Sequence, residues 1–261
     1  MSGNDKFPRV NILGVGINAI NIENALLVID HWISSDQANF VCVTGVHGVM
    51  ESQRSTAIRK IHNSAGMVTP DGMPLVWLSR LNGYPDAERV YGPDLMVAVC
   101  SHSIEKGYRH FFYGGTDWLV DHLVQRMTKR FQGLQVAGTY SQPFGPLSLE
   151  EDRKIVSLIN DADPDIIWVG LSTPKQEIWM SEHIGQLGDC VLIGVGAAFD
   201  FLAGTKKQAP AWMQRIGLEW FFRLCTEPKR LWKRYLINNP YFVILVISQA
   251  TGLRKYSLDY P

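Results

Sequence analysis

The chain is poor in the features that mark disulfide-rich, zinc-binding or membrane-spanning proteins. Its 261 residues include only four cysteines, Cys42, Cys100, Cys190 and Cys225, far apart and with no C-x-x-C pair. That usage argues against a disulfide framework or a thiolate zinc site and fits a reducing compartment. No apolar run approaches the roughly 20 residues that a spanning helix needs; the most apolar stretch, YFVILVISQATG, is interrupted at Ser248. The start, MSGNDKFPRV, is polar and lacks the apolar core of a signal peptide. There are no evident repeats. Net charge is zero, and with 46% hydrophobic and 19% charged residues the composition is globular rather than disordered.

The zero net charge hides an asymmetry. Residues 1–203 hold 15 Lys+Arg and 22 Asp+Glu, and residues 204–261 hold 10 and 3, so a body of −7 carries a tail of +7. A basic tail points to an anionic surface, a phosphate-bearing ligand or nucleic acid. Aromatic and basic residues cluster together only in the tail, which argues against nucleic acid.

Strand-like runs at Val10–Leu13, Phe40–Val43, Met67–Thr69, His110–Tyr113, Val136–Thr139, Ile166–Val169 and Val191–Val195 alternate with helix-period segments. The helical segments are Ile22–Ile33, Val49–His62, Pro74–Leu81, Pro93–Glu105, Asp117–Phe131, Leu149–Asn160 and Pro174–Ile184. The alternation predicts an α/β fold, a Rossmann-like, mostly parallel sheet with helices on both faces. Thr116 is a candidate N-cap, and Ser148 with Glu151 a candidate capping box. After about Gly204 the strand signals stop. Three helical pieces follow, Ala211–Leu224, Glu227–Ile237 and Tyr241–Thr251. This divides the chain into a catalytic body, 1–203, and a helical appendage, 204–261. The appendage either packs on the body or lies in a membrane interface, with Trp212, Trp220, Trp232 and the basic residues at headgroup level.

Several short motifs carry two readings each. GVGINA at residues 14–19 fits the dinucleotide fingerprint, but the second strand ends Val43-Thr44-Gly45 without the acid that binds a ribose. A tight turn is the alternative. DADPD at 161–165 contains Asp-x-Asp, a spacing that can hold a divalent metal, yet it precedes a strand, at the end of a parallel sheet opposite to where sites gather. Gly114 and Gly115 in YGGT open a helix after a strand, which suits a phosphate cradle or a plain glycine turn. Thr44 and His47, in TGVH, fall at a strand's carboxyl end, where a histidine serves as an acid/base group or caps a helix. Asp71 lies between Pro70 and Gly72 at another strand end, with Val68, Met73, Leu75, Val76 and Trp77 around it. An apolar setting raises a carboxylate's pKa and suits a general base. The same position suits a helix N-cap.

Five longer stretches together resemble the WecG/TagA/CpsF family of glycosyltransferases (glycosyltransferase family 26). They are VTPDGMPLVW, ERVYGPDLM, GLSTPKQEIWM, GVGAAFDFLAGTKKQAP and GLEWFFRLCTEPKRLWKRY, in order across roughly residues 10–240. The resemblance implies an inverting, metal-independent transfer of a hexose or N-acetylhexosamine from a UDP-sugar to a lipid-linked saccharide. It places the reaction in cell-surface or exopolysaccharide synthesis. The family's strand-end aspartate corresponds to Asp71, its proposed base, and its strand-end threonine to Thr44. Where the family often has Asn, this chain has Val46, followed by His47, and that departure touches the acceptor side.

The other matched positions are candidate substrate contacts. Arg89 and Asp94 flank a Tyr-Gly-Pro turn, and Arg89 suits a phosphate or sugar hydroxyl. Gln176 offers an amide that donates and accepts, and Gly196 and Asp200 fall in the family's nucleotide-side motif. Arg223, Arg230 and Arg234 are spaced by seven and four residues and suit a departing diphosphate. The resemblance further implies no cofactor beyond the donor substrate and an anionic membrane surface as partner. The expected place is cytoplasmic, peripheral on the inner face of the cell membrane, and family members can form homo-oligomers. Two other classes fit parts of the chain: an NAD-dependent oxidoreductase using GVGINA, and a non-catalytic membrane-docking protein whose basic tail is its whole function.

Overall fold

The structure, a computed structural model, describes residues 7–142, 145 and 147–258; the polar start at residues 1–6 lies outside them. In chain order the elements begin with β1 (Arg9–Ile12), β2 (Val15–Asn18), α1 (Ile22–Ser34) and β3 (Asn39–Thr44). Next come α2 (Val46–Arg54), α3 (Thr56–Ser64), β4 (Met67–Pro70), α4 (Met73–Leu81) and α5 (Gly92–Lys106). Then follow β5 (Arg109–Tyr113), α6 (Asp117–Arg130), β6 (Gln135–Tyr140), α7 (Leu149–Ala162) and β7 (Ile166–Val169). The rest are α8 (Lys175–His183), β8 (Val191–Gly194), α9 (Ala198–Ala203), α10 (Ala211–Arg215), α11 (Glu219–Thr226), α12 (Pro228–Trp232) and α13 (Asn238–Ala250), with a π-helical turn, Lys233–Ile237, joining the last two.

Six strands form one sheet in the order β4-β3-β8-β7-β5-β6, and the β3–β8, β8–β7, β7–β5 and β5–β6 pairs are parallel. The β7 and β8 segments, IIWV and VLIG, are buried at every position, as strands covered on both faces must be. The α/β, Rossmann-like expectation holds. Thr116 accepts from Leu119 N at the start of α6, and Ser148 and Glu151 form a reciprocal capping box on α7.

Three local expectations are corrected. The first strand is not part of the parallel sheet: β1 pairs antiparallel with β2 as a two-stranded hairpin, turning at Leu13 (φ 53°) and Gly14 (φ 82°). GVGINA is therefore a hairpin turn and its second strand, not a turn leading into a helix. The single helix expected over Val49–His62 is two, because Ser55 is extended and its hydroxyl caps α3 through Ile58 N. The piece expected over Ala211–Leu224 is also broken, at Gly217 (φ 75°). A Cβ there would come within 2.7 Å of Trp77 Cη2 and 3.3 Å of Met73 Cβ, so only glycine lets this turn lie on α4.

The chain divides into two compact units. The first comprises Ile22–Cys42 and Gly92–Lys207; the second comprises residues 7–21, Val43–Tyr91 and 208–258. In the second, α13 grips the hairpin: Leu13 N donates to Gln249 Oε1 at 3.0 Å, and Gln249 Nε2 donates to Asn11 O at 3.0 Å. Phe242 and Leu245 of α13 are buried, while Tyr241, Val243, Ile244 and Ile247 are exposed. Among the described residues no helix is long and apolar enough to cross a membrane.

Candidate active site

The second unit gathers Thr44, His47, Asp71, Arg89, Arg223, Arg230 and Arg234. Strand β4 delivers Asp71, and its backbone is pinned: Asp71 N donates to Thr44 O at 2.9 Å, and Val90 N donates to Pro70 O at 3.0 Å. The N-cap of α4 is Gly72, with no side-chain capping bond. Asp71 therefore stands one residue before the N-cap position instead of occupying it. A Cβ on Gly45 would stand 3.6 Å from Asp71 Oδ2, so the chain leaves room beside the carboxylate where any other residue would place a side chain. Thr44 is buried at the end of β3, and its hydroxyl lies 3.1 Å from His62 Nε2. His47 sits in the first turn of α2, half-buried, with Nδ1 3.7 Å from Glu51 Oε1.

Arg89 is engaged on three sides. Its Nε donates to Asp71 O at 2.8 Å, Nη1 to Gln214 Oε1 at 3.0 Å and Nη2 to Glu219 Oε2 at 2.7 Å. The guanidinium carbon stands 3.9 Å over the centre of the Tyr91 ring. Burial, then the Asp71 charge, raise the Glu219 carboxyl above its ordinary value, against the pull of Arg89 and Arg223. Burial, then Glu219 and Asp71, push the Tyr91 hydroxyl well up.

Two appendage arginines feel the same carboxylate. Burial works to lower Arg223, but Tyr235, Glu219, Tyr91 and Asp71 together outweigh it and leave it raised. Burial lowers Arg234, Arg223 and Arg230 add repulsion, and Tyr235 and Asp71 oppose them. The Arg234 Nε is buried without a hydrogen bond. A buried guanidinium pushed down by desolvation and by like charge gains most from an added anion. Arg230 differs: it is exposed and bonded to Glu227 at 2.7 Å.

The first unit holds Asp94, Gly114, Gly115, Gln176, Gly196 and Asp200. Gln176 begins α8 after β7 and is buried; its carboxamide lies over the β8 exit, with Oε1 3.3 Å from where a Gly196 Cβ would be. Its Oε1 is buried with no hydrogen-bond partner, while Nε2 donates to Glu177 Oε1 at 3.1 Å. Gly114 (φ 110°) and Gly115 (φ 79°) form the β5–α6 turn, and a Cβ on Gly114 would meet Gly170 O at 3.2 Å. Asp200, in the first turn of α9, pairs with Lys206 at 3.1 Å. Asp94 is exposed in the first turn of α5.

The Asp-x-Asp motif is occupied structurally. Asp165 accepts from Arg109 N at 2.7 Å and Asp163 pairs with Arg109 at 3.1 Å. Among the described residues, no group of three or more His, Cys, Asp or Glu side chains is placed to hold a metal ion. Sequence reasoning missed Tyr91, Gln214, Glu219 and His62. The first three gave a faint signal, since they lie inside or beside quoted motifs. His62 gave none: it reads as one more residue on an amphipathic helix.

Comparison with known proteins defines the class. The chain is 28% identical over 224 residues to an N-acetylglucosaminyldiphosphoundecaprenol N-acetyl-beta-D-mannosaminyltransferase of Bacillus spizizenii, covering 86% of this chain and 84% of the relative. It is 31% identical to the protein of the same name in Bacillus subtilis (76% and 74% covered), and 26% identical to that in Staphylococcus aureus (95% of each). The protein is a glycosyltransferase. The sequence profile of the glycosyl transferase WecG/TagA/CpsF family matches residues 10–256. The chain belongs to that family.

Proposed function

We propose that this enzyme transfers an N-acetylhexosaminyl group, of the N-acetylmannosaminyl type named for its relatives, from a UDP-sugar to a hydroxyl of a lipid-linked saccharide. The reaction serves cell-envelope polysaccharide synthesis. The observation that carries the reading is the strand-end Asp71 within electrostatic reach of two part-buried appendage arginines, Arg223 and Arg234.

The proposed step is one in-line displacement. Asp71 takes the proton of the acceptor hydroxyl as its oxygen bonds to the anomeric carbon. The bond from that carbon to the diphosphate oxygen breaks, UDP leaves with the electron pair, and the anomeric configuration inverts. Thr44 orients the reacting sugars, and His47 is the second polar side chain at the same strand edge. Arg223 and Arg234 offset the charge on the departing diphosphate, with Arg230 at the exposed margin. In the first unit, the buried Gln176 amide, Gly196 and Asp200 are assigned to the donor's sugar and nucleotide, with Gly114, Gly115 and Asp94 as further donor contacts.

Membrane docking belongs to the same reading. The exposed face of α13, exposed Trp212 and Trp232, and the tail's charge of +7 suit a peripheral place on the inner membrane face. The test is UDP release from a panel of UDP-sugars with a polyprenyl-diphosphate-linked N-acetylglucosamine acceptor, in detergent with EDTA. Release with one donor, dependent on acceptor, supports the reading. No release with any donor, with EDTA or with added Mn²⁺, contradicts it.

A further inference from the structure

Inside the second unit, His62 of α3 is fully buried, with Ile58, Ser52 and Thr44 among its polar neighbours. Its Nδ1 lies 3.0 Å from Ile58 O and 3.2 Å from Ser52 Oγ, and its Nε2 lies 3.1 Å from Thr44 Oγ1. The chemistry of these partners fixes the proton positions. A carbonyl oxygen only accepts, so Nδ1 carries a hydrogen and donates to Ile58 O. Ser52 Oγ donates to Gly48 O at 3.0 Å, so its oxygen is free to accept from the same Nδ1–H. In the neutral ring Nε2 is then bare and accepts the Thr44 hydroxyl proton.

The bond has a steric support. A Cβ on Gly48 would stand 2.8 Å from Thr44 Cγ2 and 3.3 Å from His62 Nε2. Only glycine at position 48 lets α2 start against this pair without driving the two side chains apart. Thr44 is also the residue whose carbonyl accepts the Asp71 backbone N–H.

We infer that His62 is a positioning residue that locks the Thr44 hydroxyl through a Ser52–His62–Thr44 relay. With its proton committed to His62, Thr44 meets any substrate group through oxygen lone pairs, as an acceptor only. It therefore selects a hydroxyl or amide N–H donor on the sugar beside Asp71 and disfavours a carbonyl or ether oxygen at that point. This inference rests on the reading of Asp71 and Thr44 given above.

The test is the tautomer of His62, read from ring ¹⁵N shifts in the full-length protein, with Thr44→Val as the perturbation. The expected spectrum has a protonated Nδ1 and a bare, hydrogen-bonded Nε2 whose resonance moves downfield in Thr44→Val. A proton on Nε2, as the other tautomer or as an imidazolium, overturns the inference, as does an Nε2 resonance that ignores Thr44→Val. Kinetics give the second arm, on variants with unchanged near-ultraviolet circular dichroism. His62→Phe is expected to lower kcat about tenfold with donor KM little changed, and His62→Gln, which restores an acceptor, to recover part of the loss. Equal kcat in all three proteins overturns it. A wild-type enzyme that releases no UDP contradicts the proposed reaction but leaves the ¹⁵N result standing, so the two failures are distinguishable.

Discussion

Arg89 and Glu219 meet at 2.7 Å, and the same guanidinium reaches the Asp71 carbonyl at 2.8 Å. One side chain therefore ties the loop that carries Asp71 to helix α11. Both partners are mostly shielded, at 13% and 18% side-chain exposure, so breaking the pair leaves a charge with little water to replace its partner. Arg89→Met and Glu219→Gln are each expected to destabilise the fold by about 2 kcal/mol. Their double-mutant cycle should show coupling of about 1 kcal/mol or more in urea unfolding. Hydrogen exchange should rise in α10 and α11 before the parallel sheet is affected. Additive variants would mean the pair does not hold the two segments together.

The two part-buried arginines, Arg223 and Arg234, should separate from the exposed Arg230. Arg223→Gln and Arg234→Gln are each expected to raise the Kd for UDP about tenfold, the size of a lost charge-assisted contact to phosphate. Arg230→Gln, whose partner is Glu227, should change it less than about threefold, as expected for an exposed charge. Titration calorimetry with UDP checks this. A larger effect at Arg230 than at Arg234 would reverse the assignment.

A core histidine makes stability depend on pH. Burial lowers His110 from 6.5 to about 4, and its Nδ1 accepts from Trp168 Nε1 at 2.9 Å. A depressed histidine is neutral in the fold while the unfolded chain takes up a proton. The stability it contributes is complete above pH 6.5 and is lost as pH falls through about 4. The loss amounts to about 3 kcal/mol. Urea midpoints between pH 7 and pH 4 should fall less steeply in His110→Gln than in the parent. Parallel pH profiles for the two proteins would contradict the shift.

Much of the sheet was legible because its strands are near-continuous apolar runs, as in IIWV and VLIG, with caps such as Thr116 and Ser148 marking where helices begin. The hairpin was not, because RVNI and VGIN read as one strand and a glycine motif until the left-handed Leu13 folds them back. Ser55 was hidden inside a helical period that continues across it, and only its extended backbone separates α2 from α3. Asp71 was legible as a candidate, since a lone acid between Pro70 and Gly72 is conspicuous. What the local pattern could not tell was that Gly72, not Asp71, takes the N-cap. Glu219 and His62 were invisible for a different reason. Their partners lie 130 and 18 residues away, and no short-range spacing encodes such a contact.

The central claim is that Asp71 removes the acceptor proton, and one variant tests it most directly. Asp71→Asn keeps the size of the side chain and the backbone bond to Thr44 while removing the base. Single-turnover UDP release with saturating donor and lipid-linked acceptor should fall by about 10²–10⁴-fold, with the Kd for the UDP-sugar within about threefold of the parent. A variant that releases UDP at the parent's rate, or that loses donor binding in step with turnover, would contradict the account.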